Sequence, residues 1–268
     1  MILTYSARSH VGRIRKQNED SLLSGGVITP YLLMGSTFCL DGKETNPAAF
    51  AVCDGMGGES RGADASHLMV NHLVKYMEQL PQGSDQNPIV PLQDAIDEAH
   101  EKMVNSGLRM GTTMALLLVT KEGTVPYNVG DSRIYCLQKG QFSQLTRDHT
   151  WAEEQIRLKE KTPEEVKADP NRNKLIRCIG IGSKHQAEAY PMLHGTYRCL
   201  ICSDGLTDMV SDSEISRILQ ESSTTKQAAE RLVQQALYYG GADNVSVIVI
   251  DSEQPPSFFS RWRKPKKR

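Results

Sequence analysis

The sequence predicts an α+β fold built in layers, and three observations lead there. Strand-like and helix-like segments come in blocks rather than in strict alternation, the pattern of an α+β chain. The clearest apolar runs have the length of buried strands. Several other segments carry apolar residues at the helical period, bounded by capping residues. No internal repeat or low-complexity linker divides the body, so the 268 residues, 39% hydrophobic and 24% charged, read as one domain over 1–253 followed by a tail over 254–268.

The strand block runs from Gly111 to Leu145. Runs at Thr112–Thr120, Thr124–Val129, Ser132–Leu137 and Phe142–Leu145 are separated by turn signals at Lys121-Glu-Gly123, Gly130-Asp131 and Lys139-Gly140, which predicts an antiparallel meander. Over Gly62–Leu80, Leu68, Met69, His72, Leu73, Tyr76, Met77 and Leu80 form one helical stripe, and Leu92–Met103 repeats the pattern with Ile96 and Ala99. Such stripes pack on a sheet, and His72, with no partner at metal-ligand spacing, reads as a core or rim residue. Ser211-Asp-Ser-Glu214 is a capping box opening a further helix, and another runs from about Thr225 to Tyr239 before Gly240-Gly241. Thr162-Pro-Glu-Glu165 opens a short helix with Val166 nearly its only apolar residue. That places it at the surface, within a polar flap over Thr146–Asn173. Between Asp20 and Phe50, Gly25-Gly26 and Asp41-Gly42 read as turns in an elaborated hairpin.

The bulk numbers exclude some functions. A formal charge of -1 gives no global attraction to nucleic acid or anionic membrane. No apolar stretch reaches the roughly 20 residues of a spanning helix, and Met1–Arg8 lacks the apolar core of a signal peptide. A cytoplasmic protein is expected. Cys39, Cys53, Cys136, Cys178, Cys199 and Cys202 lie mostly in apolar runs and read as small buried hydrophobes. Cys199-Leu-Ile-Cys202 has metal or redox spacing but no second pair and no nearby histidine, so that motif is rejected.

Three apolar runs each carry an aspartate at one end: Phe50–Asp54, Cys199–Asp204 and Asp243–Ile250. A carboxylate at a buried rim needs a charged partner or a cation. Asp54 and Asp204 close their strands whereas Asp243 opens its own. If the third strand runs antiparallel to the other two, all three meet at one end, as oxygen ligands for hard cations.

Six pieces then occur in order: Val11-Gly-Arg-Ile-Arg15-Lys-Gln-Asn18-Glu19-Asp20, Val52-Cys-Asp54-Gly55-Met-Gly-Gly58, Gly111-Thr-Thr113, Val129-Gly-Asp131-Ser-Arg133, Cys202-Ser-Asp204-Gly-Leu206 and Gly241-Ala-Asp243-Asn244-Val245. Together, over roughly Ser6–Asp251, they closely resemble the metal-dependent (type 2C) protein serine/threonine phosphatases in their bacterial form. The resemblance implies a four-layer α-β-β-α sandwich, with two central, mainly antiparallel sheets flanked by helices. It also implies two divalent cations, manganese or magnesium, in the cleft at one end. By position Asp54 would bridge both cations, the Gly55 carbonyl would bind the second, and Asp204 with Asp243 would hold the first. Glu19 or Asp20 would complete the shell of the second cation, directly or through water. Cations about 3.5–4 Å apart repel strongly, which is why so many carboxylates are needed, and together they make water acidic enough to supply hydroxide near neutral pH for attack on phosphorus.

Arg15 falls where the family places its phosphate-clamping arginine, and a planar guanidinium can hold two phosphate oxygens at once. Asp131 matches an aspartate that, with the counterpart of Asp204, binds a third, weaker metal; the other reading is a turn residue capping its own backbone. Eukaryotic relatives have histidine where this chain has Met56, and a thioether donates no proton. His149, at the start of the polar segment, is the other candidate for that role. The implied substrates are phosphorylated serine/threonine proteins, with a cognate bacterial kinase acting on the same targets. A pseudophosphatase-type binding module and another two-metal phosphoesterase are the alternatives. The first is disfavoured because Asp54, Asp204 and Asp243 are all present, the second because nothing in the chain suits nucleic acid. The tail, with six basic residues in its last eight, is read either as a tether to acidic lipid or an acidic partner or as a solubilising end.

Overall fold

A computed structural model describes residues 1–29, 37–57, 61–80 and 89–253. Two antiparallel sheets face each other. The six-stranded sheet runs β10 (Gln141–Gln144), β9 (Arg133–Gln138), β12 (Tyr197–Cys202), β13 (Val245–Glu253), β1 (Ile2–His10), β4 (Phe38–Thr45). The seven-stranded sheet runs β11 (Glu188–Ala189), β8 (Thr124–Val129), β7 (Met114–Val119), β5 (Ala48–Met56), β2 (Asp20–Ser24), β3 (Val27–Ile28), with β6 (Gly111–Thr112) paired to the end of β5. Helices α1 (Arg61–Gln79) and α2 (Ile89–Asn105) cover the outer face of the seven-stranded sheet, and α6 (Asp212–Glu221) and α7 (Thr225–Tyr238) cover that of the other. This is the four-layer α-β-β-α sandwich expected.

The layering explains why the strands read as unbroken apolar runs although the sheets are antiparallel. Each central strand is buried on both faces, so polar alternation has no solvent face to mark. In β5, Phe50 and Val52 point into the core between the sheets while Ala49, Ala51 and Cys53 point at α1 and α2. In β13, Ile248 and Ile250 face the other sheet while Val245, Val247 and Val249 face α6 and α7. Leu22, Leu73, Leu92 and Leu116 are fully buried, so truncating one to alanine costs about 2–5 kcal/mol.

Helices α6 and α7 and the short one after Thr162 begin where the sequence places them, while α2 starts at Ile89, three residues before the expected Leu92. Ser211 caps α6 by accepting the Glu214 N–H, but the Glu214 carboxylate goes to Tyr239 and Arg217 instead of closing the box. The box at Thr162 is complete and opens α4 (Pro163–Lys167), with Val166 buried beneath it. The sequence reading missed α3 (Trp151–Arg157), since none of its residues is fully buried and no apolar stripe marks it; Thr150 accepting the Glu153 N–H was its one signal.

The meander is corrected. β7 pairs with β8 and β9 with β10, but β8 and β9 belong to opposite sheets. Gly130-Asp131-Ser132 therefore carries the chain across the sandwich and is not a hairpin turn. Double-sided burial hides this, because a strand apolar on both faces does not say which sheet it joins. Asp41-Gly42 is also no turn. Both lie inside β4, where Asp41 pairs with the buried Arg8 guanidinium at 2.8 Å and Glu230 pairs with it at 3.1 Å. The stretch before Phe50 thus adds an edge strand beside β1 in the other sheet. Five cysteines are buried as expected, and Cys39 is exposed. His72 is buried beside Lys102 and Glu98. The basic tail lies outside the described residues.

Candidate metal centre

Strand directions bring the carboxylates together. β13 runs antiparallel to β12, pairing Cys202 with Val247, so Asp204 just after one strand and Asp243 just before the other share an end. In the facing sheet Asp20 is the direct cross-strand partner of Asp54. β5 does not stop at Asp54 but continues through Gly55-Met56 to pair with β6. The Asp54 and Asp204 carboxyls stand close enough across the sandwich for each to alter the other's proton affinity. Asp131, at the crossover between the sheets, adds its charge beside both.

Burial and mutual repulsion raise the proton affinity of this group. Desolvation pushes Asp20 from the ordinary 3.8 up to about 7, with the Ser246 and Ser203 hydroxyls pulling it back and Asp204 and Asp243 adding repulsion. Asp204 rises to about 6 and Asp131 to about 8, again through desolvation first and neighbouring aspartates second. Asp54 is displaced upward for the same reasons, with Asp20, Asp204 and Asp131 all repelling its charge. Carboxylates this close cannot all ionise unless protons or cations offset the charge.

The donor set fits divalent hard cations. Asp20 Oδ1 and Asp204 Oδ1 are buried without a hydrogen-bond partner, and the oxygens are carboxylates, the type magnesium and manganese accept. Among the described residues no three His, Cys, Asp or Glu side chains close into a finished shell. Asp20 accepts from the Ser203 hydroxyl and Asp243 from Arg15.

Backbone contacts fix the positions of these groups. Thr113 is the linchpin on one side: its N–H donates to the Asp54 carbonyl at 2.9 Å, and its Oγ1 accepts the Asp54 N–H at 3.0 Å. The same Oγ1 lies 2.7 Å from Ser132 Oγ, which ties Asp54 to the crossover carrying Asp131. Gly55 leaves no room for a side chain. A Cβ there would overlap the Gly62 carbonyl and stand 2.7 Å from the Glu19 carbonyl. The Gly55 N–H donates to that Glu19 carbonyl at 3.2 Å.

Arg15 and Glu19 lie on the loop between β1 and β2. The half-exposed Arg15 guanidinium donates to Asp243 Oδ2 at 2.7 Å. Desolvation raises the Glu19 pKa, while Arg15 and the Gly62 N–H oppose the shift. Asn244 holds the loop in place: its Oδ1 accepts the Glu19 N–H at 2.9 Å, and its Nδ2 donates to the Val11 and Gln17 carbonyls, each at 2.9 Å. No local pattern in the sequence announces these partnerships. Ser203, which donates to Asp20 at 2.9 Å, was also missed. His149 stands apart from the acidic group, 4% exposed, with both ring nitrogens engaged elsewhere.

Relatives share the layout. Residues 38–238 match the protein phosphatase 2C family. The serine/threonine phosphatase Stp of Listeria monocytogenes is 32% identical over 254 residues, covering 92% of this chain and 94% of that protein. A crystal structure of the Mycobacterium tuberculosis serine/threonine phosphatase PstP superposes with a TM-score of 0.78 at 31% identity, over 95% of this chain and 100% of that one. A second, of the PstP catalytic domain in complex with two manganese ions, gives 0.75 at 30% identity over 94% of this chain and 99% of that one. Agreement in sequence and in fold over nearly the whole length makes the chain a member of the protein phosphatase 2C family, on its bacterial side.

Proposed function

We propose that this protein removes phosphate from phosphoserine and phosphothreonine on other proteins at the acidic end of its sandwich, reversing a bacterial serine/threonine kinase in the cytoplasm. The observation that carries the reading is the meeting of Asp20 and Asp54 from one sheet with Asp204 and Asp243 from the other. Family membership makes it a metal-dependent serine/threonine phosphatase that works with two divalent cations. When bound, those cations acidify the attacking water and neutralise charge on the phosphoryl oxygens.

The chain's own residues do the rest. Asp54 would lie between the two cations, Asp204 and Asp243 would hold one, and the Gly55 carbonyl with Glu19 or Asp20 would hold the other. Asp131 would hold a third with Asp204. Arg15, already drawn to an anionic oxygen of Asp243, would turn its guanidinium to the phosphate and orient the ester for in-line attack. Met56 donates no proton, so the leaving seryl or threonyl oxygen takes its proton from water. The catalytic unit is taken as residues 1–253, with the tail at 254–268 as a separate basic segment. No helix among the described residues is long and apolar enough to cross a membrane.

Hydrolysis of p-nitrophenyl phosphate and of phosphothreonine peptides is expected to need added manganese or magnesium and to stop in EDTA. Full turnover in chelator, or none with any divalent metal, would sink this reading, and the second result would favour a pseudophosphatase-type binding module. Arg15→Ala should raise KM and lower kcat/KM roughly 10–100-fold, about 1.4–2.8 kcal/mol, with metal affinity nearly unchanged. Poor metal binding at unaltered kinetics would instead make Arg15 a structural support.

A further inference from the structure

His149 is a buried histidine whose contacts lead to the sheet crossover. Its Nδ1 accepts the Gly130 N–H at 3.0 Å, and its Nε2 lies 3.0 Å from Glu188 Oε2. With a donor at Nδ1 and a carboxylate at Nε2, the ring is the neutral Nε2–H tautomer. The backbone of His149 holds the same glycine, donating its N–H to the Gly130 carbonyl at 2.9 Å. Asn128 Nδ2 donates to that carbonyl at 3.0 Å. Gly130 has φ +104°, and a Cβ there would sit 2.6 Å from Thr113 Cγ2. It is therefore pressed between Thr113 and His149, in a conformation that side-chain-bearing residues rarely adopt.

The residue after Gly130 is Asp131, and the residue after that, Ser132, bonds Thr113. Asp131 is thus held from both chain neighbours, by His149 through Gly130 and by Thr113 through Ser132. The His149 carbonyl also accepts the Ile176 N–H at 2.9 Å. Its ring does not face the acidic end. The cavity lined by Asp131, Asp204 and Asp208 lacks His149, which lines a neighbouring one with Arg147, Arg177 and Glu188.

We infer that His149 is a positioning residue that, by gripping both backbone polar groups of Gly130, sets where the Asp131 carboxylate stands over the acidic end and thereby sets turnover. The inference rests on the proposed role of Asp131 in catalysis. It assigns no proton transfer to His149.

Two substitutions divide its contacts. In His149→Asn, the side-chain oxygen falls near the place of Nδ1 and can still accept from Gly130, but the side chain no longer reaches Glu188. In His149→Gln, the longer amide reaches Glu188 and the near acceptor is lost. Amide exchange by NMR at Gly130, Asp131 and Ser132 is followed in chelator, alongside kcat and KM for p-nitrophenyl phosphate at saturating manganese. Glu188→Gln, which keeps an acceptor for Nε2–H, serves as the control for the outer contact. His149→Gln is expected to speed exchange at these amides at least tenfold and to lower kcat about tenfold with KM nearly unchanged. His149→Asn should stay within about threefold of wild type in both, as should Glu188→Gln. Wild-type exchange at Gly130 in folded His149→Gln would overturn the inference. So would His149→Asn as slow as His149→Gln with its exchange protection intact, since that pattern belongs to a proton donor. A wild-type protein inactive with every metal would overturn the phosphatase reading, while the exchange comparison would still decide whether His149 holds the crossover.

Discussion

Asp54→Ala, Asp204→Ala and Asp243→Ala are each expected to lower kcat on the order of a thousandfold or more, about 4 kcal/mol of transition-state stabilisation, while the protein still unfolds cooperatively. Each removes a carboxylate from the end of the sandwich and leaves the inter-sheet core of Phe50, Val52, Ile201 and Ile248 untouched. Steady-state kinetics at saturating manganese checks the rate, and thermal unfolding checks the fold. Near-wild-type kcat in any of the three would remove that residue from the ligand set. In chelator the stability effect should be the reverse of a usual loss. Asp204 and Asp20 are raised from 3.8 to about 6 and about 7, so the folded state binds more protons than the unfolded one between those values. The metal-free protein therefore loses stability as pH climbs from about 4 to about 7. Asp204→Asn removes one of the repelling charges, so its melting temperature in EDTA at pH 8 should exceed that of wild type.

Gly55→Ala should be the most damaging small substitution. The new methyl would overlap the Gly62 carbonyl and crowd that of Glu19, and backbone atoms cannot swing aside as a flexible side chain would. Overpacking of this kind costs about 1–3 kcal/mol. Because Gly55 follows Asp54 and its N–H is bonded to the Glu19 carbonyl, any relief that the start of α1 does not supply must move one of the two acidic segments. A shift of about 1 Å in such groups is enough to cost on the order of 100-fold in rate. A melting temperature and kcat both at wild-type values would show that the α1 start can retreat freely, against the packing described.

Much of the site was legible because its chemistry is local to strand ends. An aspartate closing an apolar run is visible in the sequence, and the antiparallel step from β12 to β13 needed only one assumption. What the sequence could not carry were partnerships between distant residues. Asn244 holding Val11, Gln17 and Glu19, and Ser203 holding Asp20, have no periodicity and no spacing rule. The crossover at Gly130-Asp131-Ser132 failed for a different reason. A glycine-aspartate pair between two apolar strands is the usual mark of a hairpin, and in a strand buried on both faces nothing contradicts that mark. Asp41-Gly42 misled in the same way, being a turn dipeptide that β4 uses inside a strand, where the carboxylate offsets a buried arginine. Helix α3 escaped because neither of its faces is fully buried.

The acidic end draws Asp20 and Asp54 from one sheet and Asp204 and Asp243 from the other, so it belongs to neither half of the molecule. A chain in which only one sheet has formed holds two carboxylates on a bare edge and can do nothing with them. Since residues 20, 54, 131, 204 and 243 are scattered along the chain, their meeting waits on the slow, long-range pairings that complete such folds. A newly made or partly unravelled copy would be inert toward phosphoproteins until its two sheets have docked, making the seam a built-in check that only finished molecules act.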